Sequence, residues 1–160
     1  MRSLATIGVY GFTVERFLER LREAGVEVLL DVRQRRGVRG SEYAWANSQR
    51  LQAALGDAGI EYRHEKELAP TTELRQLQYA EDAKTGVGKR SRAVLAPEYV
   101  ERYTLEILDP IDLDSVVAGL ADDAVVALLC VETDPEACHR SLVAERMAAE
   151  HGVELTHLRP

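Results

Sequence analysis

No stretch of this chain approaches the ~18 consecutive apolar residues that a helix needs to cross a bilayer. The basic, apolar and small-residue succession of a secretory signal is missing too, because Met1 to Tyr10 passes directly into polar, helix-like sequence at Thr13 to Glu23. The expectation is a soluble, cytoplasmic protein with no membrane partner. Cysteine is scarce: Cys130 and Cys138 are the only two, too few for a disulfide scaffold. With His139, Glu132 and Asp134 they offer possible metal ligands, but they do not have the spacing of a C-x2-C zinc pair and no second pair exists, so the sequence favours neither a metal nor a cofactor. Familiar catalytic loops are also absent. There is no G-x-x-x-x-G-K-[ST], no G-x-G-x-x-G after the first strand, no G-x-S-x-G and no H-E-x-x-H, and Cys130 to Arg140 does not fit C-x5-R. P-loop hydrolysis, standard dinucleotide binding and common esterase, zinc-protease and tyrosine-phosphatase chemistries are therefore disfavoured.

What is present suits one domain over residues 1–160. A chain of this length buries roughly 70% of its unfolded surface, and 46% hydrophobic residues supply a core while 29% charged residues keep it in water. The net charge of -7 conceals an asymmetry. Arg33, Arg35, Arg36 and Arg39 crowd one segment without an acid, and Lys84, Lys89, Arg90 and Arg92 crowd another. Without those eight, 12 basic residues face 27 acidic ones, a body of -15. Such a surface repels a long duplex over a Debye length of about 8 Å and beyond, so any anion must be held locally.

Periodicity alternates between strand and helix. Leu4 to Tyr10 and Val26 to Val32 read as buried strands, with a helix capped by Thr13 and stopped at Gly25 between them. Leu51 and Leu55 mark a second helix, and Ile60, Tyr62 and His64 alternate as a third strand. Thr72 is the expected cap of a helix through Ala83, Pro97 starts one reaching Leu108, and Asp112 caps a short one. The unbroken apolar run Ala124 to Val131 implies a strand buried on both faces, as in a parallel sheet covered by helices. Asp134-Pro135 reads as the start of the next helix, and Val153, Leu155 and His157 close the chain as a strand. The fold class is α/β, a three-layer Rossmann-like arrangement around a mainly parallel sheet. The sequence sets no oligomeric state.

Ligands of such sheets bind beyond the carboxyl ends of the strands. Those ends carry Tyr10, the pair Asp31 and Arg33, His64, and Cys130-Val131-Glu132. The last feeds the segment containing Cys138, His139, Arg140 and Ser141, the densest chemical cluster in the chain. Cys130, among Ala, Val and Leu, reads as a core residue. Cys138 near a helix start and an arginine suits a nucleophile or a polar ligand, and His139 or His64 a proton carrier. Arg33, Arg35, Arg36, Arg39 and Arg140 are the candidate anion holders, with Tyr10, Asp31, Glu132 and Ser141 completing the set. For Asp31 and Arg33 a purely structural ion pair is an equal reading.

The pattern from Thr6-Ile7-Gly8 through Leu30-Asp31-Val32-Arg33 and Gly59 to His64, then Cys130-Val131-Glu132 and Cys138-His139-Arg140-Ser141, resembles the prokaryotic DUF488 family over nearly the whole chain. The family has no established reaction, so the resemblance implies the shared site and not a chemistry. Two departures stand out. Leu68-Ala69-Pro70 replaces the family's L-G-G, and the arginine-rich Gln34 to Gly40 replaces a proline and Ser-Arg pair, both beside the crevice. The leading expectation is a protein, and an enzyme if the Cys/His/Arg group reacts, acting on a phosphate-bearing small molecule or a nucleic-acid end. The alternatives are a non-catalytic module docking nucleic acid or an acidic partner, and a thiol-redox protein using Cys130 and Cys138.

Overall fold

The computed structural model describes all 160 residues. Five strands, β1 (Ser3–Ile7), β2 (Val28–Asp31), β3 (Glu61–His64), β4 (Val125–Leu129) and β5 (Glu154–Leu158), form one sheet in the order β3-β2-β4-β1-β5. Every pairing is parallel. β4 runs through the centre, paired to β1 from Ser3↔Val125 to Ile7↔Leu129 and to β2 from Val28↔Val126 to Asp31↔Leu129. Its Val-Val-Ala-Leu-Leu sequence is buried at all five positions, the double-faced burial that the apolar run predicts.

Helices α1 (Val14–Glu23), α2 (Ser48–Asp57), α3 (Thr72–Thr85), α4 (Pro97–Tyr103), α5 (Leu113–Val117) and α6 (His139–His151) connect the strands. The crossovers β1-α1-β2 and β2-α2-β3 step in one direction, whereas β3 to β4 and β4-α6-β5 step back. Right-handed connections therefore put α1 and α2 on one face and the later helices on the other. The packing of α4 on α3 and α6 agrees. No helix is long and apolar enough to cross a membrane.

Several boundaries differ from the sequence reading. Thr71, not Thr72, caps α3, its hydroxyl accepting from the Leu74 N–H at 3.2 Å. The helix from Pro97 is α-helical only to Tyr103, then widens into a π-turn over Thr104–Leu108, where Asp109 N–H donates to Thr104 O at 2.8 Å. Tyr99 and Tyr103 on it are buried and stacked, ring centroids 6.0 Å apart, so this segment covers the sheet rather than facing solvent. Asp134-Pro135 begins only a single 3-10 turn, Pro135–Ala137. The chain then extends at Cys138 (φ −144, ψ 144), and α6 starts at His139. Cys138 is thus the N-cap position of α6 and not part of its first turn.

The loops leaving β1 and β4 are stitched together. The N–H groups of Val9 and Tyr10 both donate to Val131 O at 3.0 Å, and Thr133 Oγ1 donates to Tyr10 O at 3.2 Å. Gly8 makes this approach feasible: a Cβ there would stand 2.1 Å from Glu132 O, a backbone atom that cannot swing aside.

Candidate functional site

At the carboxyl edge of β4, between the ends of β1 and β2, lies a cavity of about 750 Å³. This is where the two sets of crossovers diverge, the switch point at which parallel sheets open a crevice. Tyr10 from the β1 end, Arg33, Arg35 and Arg39 from the β2 end, Arg75, Gln78 and Tyr79 of α3 and the loop Gly88 to Arg92 wall it. Cys130, Val131, Glu132, Cys138 and His139 form its base.

The base is built from buried groups. His139 Nε2 donates to Val32 O at 2.8 Å, which fixes that nitrogen as the protonated one because a carbonyl only accepts. Nδ1 consequently faces the two sulfurs, 3.9 Å from Cys130 Sγ and 3.8 Å from Cys138 Sγ. The three donor atoms all lie within 4.8 Å of one another. Glu132 Oε2 is 3.4 Å from Cys130 Sγ, and Glu132 Oε1 lies 3.9 Å from both Lys89 Nζ and Arg92 Nη2. Burial pushes the Cys130 thiol up, but a hydrogen bond from Cys138 and the charges of His139 and Lys89 outweigh it, holding this thiol well below its ordinary value. Burial pushes the Cys138 thiol well up, and its neighbour Cys130 adds to the rise. Burial also raises the Glu132 carboxyl, while His139 is raised because its attraction to Cys130 outweighs the cost of burying its charge.

The walls are cationic. Arg33 and Arg92 are the two buried members, and each has a carboxylate: Arg33 Nη2 sits 2.7 Å from Asp31 Oδ2, Arg92 Nε 3.2 Å from Asp82 Oδ2. Asp82 is itself held by Gln78, whose other amide atom accepts from Ala96 N–H at 2.9 Å, tying α3 to the start of α4. Arg92 Nη2 is buried and has no hydrogen-bond partner. Arg75 donates to neutral oxygens of Gln34 and Tyr79, and Arg90 lies over the rings of Tyr10 and Tyr43 at 4.9 and 5.3 Å. Arg35 and Arg39 are exposed at the mouth with no side-chain partner.

Among the candidates named from sequence, Tyr10, Arg33, Arg35, Arg39, Glu132, Cys138 and His139 line this cavity. Asp31, Arg36, His64, Arg140 and Ser141 do not. Asp31 is wholly buried, receiving Arg33 N–H, Nε and Nη2 and the Tyr62 hydroxyl. Arg36 turns toward Tyr62, and His64 Nε2 reaches the Arg33 carbonyl at 3.0 Å. Arg140 is 1% exposed and its guanidinium donates to Glu132 O at 2.6 Å and Thr133 O at 3.1 Å, so it braces the loop after β4 from behind. Ser141 donates to Cys138 O at 2.9 Å and secures the start of α6. Sequence reasoning missed Cys130, set aside as core, together with Arg75, Gln78 and Tyr79. Lys89, Arg90 and Arg92 were visible as a basic loop but not as part of this site; Lys84 pairs with Glu81 elsewhere.

The profile described as "Domain of unknown function DUF488" matches residues 13–147. The chain belongs to that family. The DUF488 match runs from the cap of α1 to within α6 and therefore covers every residue of the cavity except Tyr10. Neither a curated protein nor a solved structure matches the chain.

Proposed function

We propose that this DUF488 protein binds a phosphate-bearing ligand of nucleotide size, free or at a nucleic-acid end, with its reacting part toward Cys130, Cys138 and His139. The observation that carries the reading is the cavity's charge: seven cationic side chains against the single carboxylate of Glu132, in a chain of net charge -7. After Arg33 and Arg92 are matched by Asp31 and Asp82, Lys89 by Glu132 at 3.9 Å and Arg90 by Glu42 at 3.4 Å, Arg35, Arg39 and Arg75 are left with no carboxylate and are the cations proposed to meet an anion. A volume of about 750 Å³ falls within the range of small-molecule sites. The orphan Nη2 of Arg92 supplies a buried donor that such a ligand satisfies. Tyr79 at the rim and the Tyr10 and Arg90 pair offer planar faces for a base.

Calorimetric titration with inorganic phosphate, nucleoside monophosphates and short oligonucleotides tests it. The expected result is saturable binding, tightest for a ligand with a terminal phosphate and weakened about tenfold or more by Arg39→Ala or Arg75→Ala. Equal affinity in wild type and both variants overturns the reading. A second reading, a thiol-disulfide pair, draws support from the closeness of the two sulfurs. Titrating free thiols before and after exposure to oxidised glutathione decides it: both thiols must disappear together and return with reductant.

A further inference from the structure

The sulfurs and imidazole at the cavity base share a geometry that anion binding does not require. We infer that Cys130, Cys138 and His139 form a tetrahedral binding site for a divalent transition metal, Zn²⁺ by donor preference, with its fourth position open to the cavity.

Four observations support the site. The donor set is two thiols and one imidazole, which suits a borderline-soft ion. Zn–S near 2.3 Å and Zn–N near 2.0–2.1 Å give a tetrahedral N–S edge of roughly 3.6 Å, and the Nδ1-to-sulfur distances, 3.9 and 3.8 Å, need to close by only a few tenths of an ångström. The imidazole is already oriented: Nε2 donates to Val32 O, leaving the Nδ1 lone pair aimed between the sulfurs, the arrangement by which protein carbonyls fix a ligating histidine. The backbone on both sides is secured. Cys130 N–H donates to Ile7 O at 3.3 Å, and Cys138 is held by its N–H to Pro135 O at 3.1 Å and by the Ser141 hydroxyl on its carbonyl.

Charge balances as well. Two thiolates and Glu132 carry three negative charges, and a divalent ion and Lys89 carry three positive ones, Arg92 being matched by Asp82. Ion binding releases to solvent the protons held among the two thiols and the imidazole and changes no oxidation state. Because all three ligand residues face the cavity, the chain supplies three donors and leaves the fourth position for water or an oxygen of the ligand, the pattern of reactive rather than structural zinc. Sequence spacing argues against this site, since one thiol leaves a strand and the other precedes a helix, and only the fold brings the two sulfurs to the imidazole. The metal site stands without the phosphate reading; only the occupant of the open position rests on it.

The test uses the full chain, reduced and stripped with chelator, titrated with Co²⁺. The expected outcome is visible d–d bands of tetrahedral cobalt with thiolate-to-metal charge transfer, saturating at one ion per chain and displaced by Zn²⁺. Cys130→Ser, Cys138→Ser and His139→Ala, each checked for retained circular dichroism, weaken Co²⁺ binding at least about tenfold. Saturation of the wild type without charge-transfer bands overturns the inference, as do bands unchanged in Cys138→Ser. Inorganic phosphate added to the cobalt form shifts the d–d bands; bands indifferent to both phosphate and azide overturn the open position. Phosphate bound by the stripped chain with no cobalt bands leaves the anion reading standing and the metal site refuted. Cobalt bands with no phosphate binding by calorimetry give the converse.

Discussion

Replacing Arg33 with alanine separates a structural ion pair from a ligand-binding arginine. Asp31 is 0% exposed and its carboxylate accepts four hydrogen bonds, three of them from Arg33: the backbone N–H at 3.1 Å, Nε at 2.8 Å and Nη2 at 2.7 Å. Arg33 Nη1 also donates to Ala46 O at 3.0 Å, joining the β2 exit to the 3-10 turn Ser41–Ala46. Arg33→Ala deletes the guanidinium and leaves a buried carboxylate with only the backbone N–H and Tyr62 hydroxyl. Breaking a buried pair from one side costs about 3–5 kcal/mol, a large share of the 5–15 kcal/mol that typically holds a domain together. Urea unfolding followed by circular dichroism should therefore show a midpoint far below wild type. The double variant Asp31→Leu/Arg33→Met removes both charges at once and should recover most of the loss. Arg39→Ala, at the exposed mouth, should stay within about 0.5 kcal/mol of wild type. A loss under about 1 kcal/mol for Arg33→Ala, or a double variant as unstable as the single one, refutes the structural assignment and returns Arg33 to the ligand.

Two further perturbations probe the loops around the site. Gly8→Ala forces a Cβ against Glu132 O, which Arg140 Nη1 also holds, and to 3.4 Å from Arg140 Nη2, so the loop after β4 must shift; a loss of about 1–3 kcal/mol in thermal or urea unfolding is expected. Unchanged stability would mean the β1 and β4 exits are not in close contact. His157 hydrogen-bonds Thr6 through Nδ1 at 2.7 Å, and burial together with the nearby Arg140 charge lowers its proton affinity in the folded state. The unfolded chain then takes up a proton that the folded one refuses, so stability holds above the ordinary histidine value near ~6.5 and falls as pH drops through it. His157→Gln should flatten that decline in urea midpoints; parallel pH profiles for the two proteins would contradict it.

The fold was legible because its signals are local. Unbroken Val/Leu runs at β2 and β4, caps such as Thr13, and the left-handed Gly152 (φ 62) closing α6 each act within a few residues. The strand ends were legible for the same reason, and they brought Tyr10, Arg33, Glu132, Cys138 and His139 to one crevice. What was not legible depends on direction. Arg140 and His139 are adjacent on α6 and so point about 100° apart, but which of them faces the cavity depends on where α6 starts: its start at His139, after the extended Cys138, sends His139 to the cavity and Arg140 behind the β4 loop. Cys130 sits among apolar neighbours and reads as core until His139 is found pointing back at it. Arg75 and Gln78 come from a helix whose sequence is polar all round, so only its packing over the cavity reveals them.

Those directions also bear on the proposal that this acidic chain holds an anion. The buried cations Arg33 and Arg92 are cancelled at 2.7 and 3.2 Å by carboxylates behind them, so little of their field reaches the cavity. The cations with no carboxylate, Arg35, Arg39 and Arg75, are joined by Lys89 and Arg90 at longer pair distances of 3.9 and 3.4 Å, and these three segments meet only because β2, α3 and the following loop converge on the end of β4. A ligand inside the crevice lies among them, closer than the roughly 8 Å over which physiological salt screens charge. A duplex lying across the outside meets the acidic body instead. The proposed preference for a small phosphate ligand or a strand end over continuous nucleic acid rests on this arrangement. Raising salt should weaken the binding of a terminal phosphate only moderately, because few phosphates are engaged, whereas duplex binding with a steep salt dependence would mean that the anion lies outside the cavity.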